Sequence, residues 1–343
     1  MQTFQTLKDA PAGTIKNGTK VLVRADMDVA LENGNIAEKY RLDQMLPTLN
    51  FLKEKGAHII LAGHIGRPEG KPVKELSTKM LKTYFDEVFG SDQSGRLDNS
   101  GTGTYELLEN LRFDPREEQN DSSFAGEMSS KADVYVNECF STSHRNHASF
   151  VAITKLLPSF AGFRLEKEVE TLSTVIKNPA RPLVALIGGV KIEAKKPVID
   201  KLIEVADHVL VGGKIGLGWQ VETTSASPAN LLLPSDYAEM QKDIGPSTIE
   251  TYRKIIMRAK TVIWAGPMGY FEDEKFATGS VKLAQAIVDS GAFSVAGGGD
   301  TISFLDKYGF LDKFNFISTG GSAMLKFLAG DKLPGLEALG YAN

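Results

Sequence analysis

Apolar runs of three to five residues alternate along this chain with longer stretches whose apolar positions recur at helical spacing. Strand-like runs stand at Lys20–Arg24, His58–Ala62, Tyr105–Leu108 and Val134–Val136 in the first half. Five more stand at Leu183–Ile187, His208–Val211, Val262–Trp264, Phe293–Ala296 and Phe314–Ile317 in the second. Helical spacing fills the intervals, as over Arg41–Lys55, over Ser77–Val88 with Ser77 opening it, and over Ile302–Tyr308. Strand and helix in turn predict a mostly parallel α/β architecture. The segment Gly90–Thr104, rich in Gly, Ser, Asn and Asp, reads as a surface loop. Phe160–Lys177 keeps helical spacing up to Asn178-Pro179 and reads as a helix linking the two halves.

The two halves end their strands differently. All five strands of the second half run into glycine: Gly188-Gly189, Gly212-Gly213, Gly266-Pro267-Met268-Gly269, Gly297-Gly298-Gly299 and Gly320-Gly321. Without a Cβ, such a junction lets the backbone and the start of the next helix approach an anion. In Gly297-Gly298-Gly299-Asp300-Thr301 the aspartate suits a divalent metal and the threonine a phosphate oxygen. Read alone, that run is equally a tight turn with Asp300 as helix N-cap. Five junctions on one sheet edge favour the ligand reading, because the carboxyl edge is where open α/β sheets bind ligands. A nucleotide with its phosphates suits this edge best.

First-half strands run instead into charge: Asp26 and Asp28, His64 and Arg67, Arg112, then His144, Arg145 and His147. Eight of the eleven arginines lie at or before Arg164. Any one of them is an ordinary surface residue, but several at strand ends suit a small, highly anionic substrate. Two α/β lobes, one holding phosphates with backbone and the other with arginine, imply phosphoryl transfer across a cleft closed by hinge motion.

Composition narrows the setting. At 343 residues the chain favours two domains over one core. A net charge of −4 gives no general attraction to nucleic acid or acidic membranes. One cysteine, Cys139, excludes an internal disulfide and fits a reducing cytosol. Met1 to Ala12 is polar, unlike a signal peptide, and no stretch reaches the ~20 apolar residues of a membrane span. Lys191 and Lys195, four apart after Gly188-Gly189, are candidates to neutralise phosphate, or an exposed cationic face that Lys196 extends. The chain has no P-loop sequence and no ordinary dinucleotide fingerprint. Cys139 beside His144 reads as a packed thiol before a nucleophile, and His144 with His147 lacks the further ligands of a metal site.

The ordered segments Val21–Val29, Gly63-His-Ile-Gly-Arg-Pro68, Leu108–Phe113, Ser143–Ala148, Gly188–Lys191, Asp243–Pro246, Trp264–Gly269, Gly297–Asp300 and Ser318–Gly321 resemble the phosphoglycerate kinase family over nearly the whole chain. The resemblance implies two Rossmann-like α/β/α domains with mostly parallel sheets facing across a hinged cleft. Residues 1–158 would bind phosphoglycerate, 159–178 form the interdomain helix, 179–326 bind nucleotide, and 327–343 return to the first domain. It implies reversible phosphoryl transfer between ATP/ADP and the carboxylate of 3-phosphoglycerate with Mg²⁺, in a cytoplasmic monomer with no nucleic-acid or membrane partner. Asp26, Asp28, Arg41, His64, Arg67, Arg112 and Arg145 would form the phosphoglycerate site. Arg41, Lys191 and Lys195 would act on the transferring phosphoryl group. Gly189, Gly212, Gly213, Pro267, Glu272, Gly297, Gly298, Gly299, Thr301, Gly320 and Gly321 would surround the nucleotide, and Asp300 would hold the metal.

The chain departs from that pattern in places. Asp28 stands where the family has asparagine, and an extra negative charge there should weaken anion binding unless paired. Ala265 replaces an asparagine, and Ser322 replaces a glycine where a side chain would crowd the transferring group. Glu75–Thr104 and Lys214–Asp243 are short. These departures motivate an alternative, a catalytically weakened relative that binds nucleotide or a partner. The intact set of cationic residues favours the enzyme.

Overall fold

The computed structural model describes residues 5–32, 34–90, 104–190, 192–222 and 228–342. It divides into two compact units. One runs up to Val169 and takes in the chain again from Lys332; the other is Glu170–Asp331. The division falls within helix Phe163–Lys177.

The strands of the first unit are β1 (Lys20–Arg24), β2 (Leu31–Glu32), β3 (Asn35–Ile36), β4 (His58–Ala62), β5 (Tyr105–Leu107), β6 (Val134–Asn137) and β7 (Ser159–Ala161). Five of them form a wholly parallel sheet in the order β5-β4-β1-β6-β7, while β2 and β3 make a separate antiparallel hairpin. Val21, Leu22 and Val23 are all buried, as the central strand of a sheet covered on both faces requires. The chain leaves β1 for β4 on one side and later returns for β6 on the other. The crevice at the carboxyl ends of β1 and β6 is therefore the switch point where such sheets take ligands.

The second unit carries β8 (Leu183–Ile187), β9 (His208–Val211), β10 (Leu231–Leu232), β11 (Thr261–Ala265), β12 (Phe293–Gly297) and β13 (Phe316–Ser318). They form a parallel sheet in the order β10-β9-β8-β11-β12-β13, so its switch point lies between β8 and β11. Trp264 of β11 is fully buried against Phe304, and its Nε1 donates to Gly266 O at 2.8 Å, which fixes the loop leaving the strand.

The structure corrects several local expectations. The single helix over Arg41–Lys55 is two, Tyr40–Gln44 and Leu46–Glu54, because Pro47 has no N–H to return to the preceding turn. Ser77 caps a 3₁₀ turn, Thr78–Leu81, ahead of helix Lys82–Phe89, with its Oγ accepting Lys79 N–H at 3.3 Å. Phe160 belongs to β7 and not to the linking helix, since Ser159–Ala161 pairs with β6 and the chain turns at Gly162. The apolar runs do not mark β2, β3, β7 or β10, each two or three residues long. Most of Gly90–Thr104 lies outside the described residues. No helix among the described residues is long and apolar enough to cross a membrane.

Candidate active site

At the first unit's switch point the charged residues are tied to one another. Asp26 is buried, and Ser141, from the turn after β6, donates to its Oδ1 at 2.8 Å. Burial raises the Asp26 pKa, with the charge of Arg41 and the Ser141 hydroxyl pulling the other way. Asp28 Oδ1 accepts Gly66 N–H at 2.9 Å, while its Oδ2 lies 3.8 Å from His64 Nε2 and 3.9 Å from Arg41 Nη1. Arg41 also donates to the Asp28 carbonyl at 2.6 Å. Arg112 donates to Gly66 O at 2.8 Å, and its Nε lies 3.2 Å from Glu118 without hydrogen-bond alignment. Behind them Arg24 is buried, bonded to Ser149, Ala25 O and His64.

The structure thus gathers Asp26, Asp28, Arg41, His64 and Arg112. Arg67, beside Gly66, and Arg145, in the turn that carries Ser141, are exposed. The extra charge of Asp28, expected to weaken binding unless paired, is met by one N–H donor and faces His64 and Arg41. Sequence reasoning passed over Arg24, Ser141, Ser149 and Glu117. Arg24 left a signal, a cation closing the apolar run Val21-Leu22-Val23. The other three left none.

In the second unit the centre is Lys195, in the first turns of helix Ile192–Val205. Its ammonium donates to Gly188 O and, at 2.9 Å, to Ala265 O, the carbonyls at the ends of β8 and β11. Burial pushes its pKa down to about 8, with Asp300 acting in the opposite sense. The two strand ends come so close that a Cβ on Gly188 would sit 2.1 Å from Pro267 O, so glycine is required there. Gly298 caps helix Gly299–Lys307 at φ +102°, a backbone region closed to most side chains. Asp300 therefore lies in the first turn and is not the N-cap.

Not every glycine junction presents its N–H groups to a ligand. Gly212 donates to Ile187 O at 2.9 Å, Gly213 to Met268 O at 2.9 Å, and Gly266 to Thr301 Oγ1 at 2.8 Å. These positions are spacers that allow backbones to touch, and Thr301 is a buried brace between two junctions. Two hollows open beside them. One of about 390 Å³ is lined by Gly189, Gly213, Pro267, Gly269, Glu272 and Asp300 among others. A wider one of about 760 Å³ is lined by Gly189, Lys195, Asp300 and Ser322, with neighbours from helix Gly321–Leu328. Asp300 and Gly189 border both. Ser322 is exposed on the wider hollow's wall. Gly297 ends β12, while Gly320 caps the helix that Gly321 begins. Lys191 lies outside the described residues.

Among the described residues no three His, Cys, Asp or Glu side chains group as a metal cage. The exposed carboxylate of Asp300, at the border of both hollows, fits the other mode of holding Mg²⁺, in which one protein carboxylate joins the phosphates of a nucleotide.

The family model for phosphoglycerate kinase matches residues 14–225 and 219–331. A phosphoglycerate kinase of Leptospira biflexa is 39% identical over 94% of this chain and 96% of its own, and one of Prosthecochloris aestuarii is 37% identical over the same shares. The first alignment runs over 380 positions, more than the 343 residues here, so that relative carries segments this chain lacks. The solved phosphoglycerate kinase of Coxiella burnetii superposes with a TM-score of 0.82 at 31% identity, covering 98% of this chain and 99% of that one. That of Pyrococcus horikoshii gives 0.83 at 29%, with 98% of each covered. The chain belongs to the phosphoglycerate kinase family.

Proposed function

We propose that this chain transfers the γ-phosphoryl group of ATP to the carboxylate of 3-phosphoglycerate, reversibly, giving ADP and 1,3-bisphosphoglycerate. A carboxylate oxygen attacks the γ-phosphorus as the bond to the β-phosphate oxygen breaks, and ADP leaves with that electron pair. The carboxylate is already ionised, so the step needs no general base. It needs alignment and neutralised charge.

The observation that carries the reading is Lys195, a cation held on the carbonyls of Gly188 and Ala265 at the switch point of a glycine-edged sheet. In this reading Lys195 and Lys191 meet the nucleotide phosphates and the transferring group. Gly189, Gly213, Pro267 and Glu272 line the nucleotide's hollow; a Cβ at Gly212, Gly297 or Gly321 would crowd a neighbour, Gly298 takes a positive φ, and Gly299 and Gly320 stand at helix starts close to it. Thr301 serves through its brace to Gly266. Asp300 would hold Mg²⁺, which supplies charge neutralisation to the phosphates. In the other unit Arg41, His64, Arg67, Arg112 and Arg145 take the phosphoglycerate, with Asp26 and Asp28 orienting the cations. The buried lone thiol of Cys139 suits a monomeric enzyme of the reducing cytoplasm.

Purified protein should form ADP from ATP only when 3-phosphoglycerate and Mg²⁺ are both present. Arg41→Ala should lower kcat/KM by roughly 100-fold or more, the scale of losing one transition-state contact. Nucleotide binding without turnover in the intact protein overturns the proposal.

A further inference from the structure

The two ring nitrogens of His64 face different partners. Nδ1 lies 3.0 Å from Arg24 Nη2, and Nε2 is turned toward Asp28 Oδ2 at 3.8 Å. A guanidinium has N–H groups and no acceptor, so the first contact has only one polarity: Arg24 donates and Nδ1 accepts. We infer that Arg24 is a positioning residue that fixes His64 as the neutral tautomer protonated on Nε2, making His64 a hydrogen-bond donor to the anionic substrate and neither a cation nor a base.

Arg24 is held so that it cannot turn away. Its Nε donates to Ser149 Oγ at 2.8 Å, its Nη1 to Ala25 O at 2.8 Å, and its guanidinium stands 4.5 Å from the centre of the Phe150 ring. Ser149 in turn gives both its hydroxyl, at 2.6 Å, and its N–H, at 3.0 Å, to the fully buried carboxylate of Glu117. Burial works against the ionised form of Glu117, yet His147, Arg24 and Ser149 together hold its pKa below the usual range. A buried anion thus balances the buried cation through one shared hydroxyl.

The groups facing His64 are the guanidiniums of Arg24, Arg112 and Arg41, the ring of His147, and one carboxylate, Asp28. Burial first, and then those cations, place the His64 pKa well below its ordinary value. Protonating Nδ1 would break the Arg24 bond and add a positive charge among three others. For the reaction, a neutral donor occupies one lone pair of a carboxylate oxygen and leaves the rest for attack; an imidazolium would bind that oxygen more tightly and make it a weaker nucleophile.

The identity of the anion rests on the proposed function, whereas the tautomer is a property of the free protein and is tested there. Long-range ¹H–¹⁵N correlation spectra of the full chain, ¹⁵N-labelled at histidine, should show His64 protonated on Nε2 alone with no titration from pH 5 to 9. A ring protonated on Nδ1, or one that becomes cationic near neutral pH, overturns the inference whether or not the enzyme turns over. Arg24→Met should release the ring into mixed tautomers and raise the KM for 3-phosphoglycerate roughly tenfold, with kcat changed by less than about threefold. Arg24→Lys, which keeps a donor, should restore the single tautomer. A folded Arg24→Met protein whose His64 spectrum is unchanged also overturns the inference. Should that variant fail to fold, the spectrum of the intact protein decides.

Discussion

The two switch points hold their cations by opposite means. In the first unit the cations are side chains already engaged with protein partners, Arg41 with Asp28, Arg112 with Gly66 O and Arg24 with Ser149. In the second, backbone clearance does most of the shaping, and one ammonium rests on two carbonyls. Guanidiniums keep their charge at any working pH, so the first site is electrically fixed. A half-buried lysine is adjustable, and the edge at Gly188, Gly212 and Gly266 tolerates almost no added volume. The first site should therefore fail by losing a charge, and the second by gaining an atom or losing a proton.

The strongest test of that contrast is a single methyl group. Gly266 stands at φ +98°, and a Cβ there would meet Gly188 O at 2.3 Å. Gly266→Ala should destabilise the protein by about 3 kcal/mol, measured by denaturant unfolding, and abolish nucleotide binding. Gly291→Ala, at φ +65° with nothing within 4 Å, should cost about 1 kcal/mol and leave binding intact. Equal effects at the two positions would remove the case for a space-limited edge.

Acidity separates the sites next. A base whose pKa is lowered by burial keeps its charge only below that value. Lys195, at about 8, is cationic at neutral pH and loses its proton as pH rises further. The kcat/KM for ATP should fall about tenfold per pH unit above that point, and Lys195→Arg should push this limb beyond the accessible range. Binding of 3-phosphoglycerate alone, measured calorimetrically, should show no such limb. A limb that survives Lys195→Arg belongs to another group.

The smallest effect concerns Asp28. Its charge already faces Arg41 and His64 and accepts Gly66 N–H. Asp28 is itself partly exposed and its contacts are long, 3.8 and 3.9 Å, so the pairing is worth about 1 kcal/mol. Asp28→Asn should therefore shift the KM for 3-phosphoglycerate by about fivefold at most. A fall of tenfold or more would mean the carboxylate is uncompensated and repels the substrate.

The sheets were legible because their strands are short, continuous apolar runs, such as Leu183–Ile187, that only a doubly covered parallel sheet explains. The site's outline was legible because charge or glycine succeeds each strand. Partnership was not. Whether a glycine offers its N–H to a ligand or spends it on a neighbour, as Gly213 does on Met268 O, depends on contacts made across the fold. The brace from Thr301 to Gly266 joins residues 35 apart, and the Ser149–Glu117 bond joins residues 32 apart. No local pattern encodes either. Pro47 splits Arg41–Lys55 even though helical spacing continues on both sides of it.

The seat of Lys195 makes one strand end indifferent to its own side chain. Its ammonium takes the carbonyl of Ala265 at 2.9 Å, and a carbonyl is what all twenty amino acids share. That contact is invisible to substitution: the residue at 265 can drift from an amide to a methyl while the lysine's seat persists unchanged. Ala265 is buried, so mutational scanning should find small side chains accepted at 265 with the lysine's seat intact, and almost nothing accepted at Gly188 or Gly266, where hydrogen is the only substituent that fits.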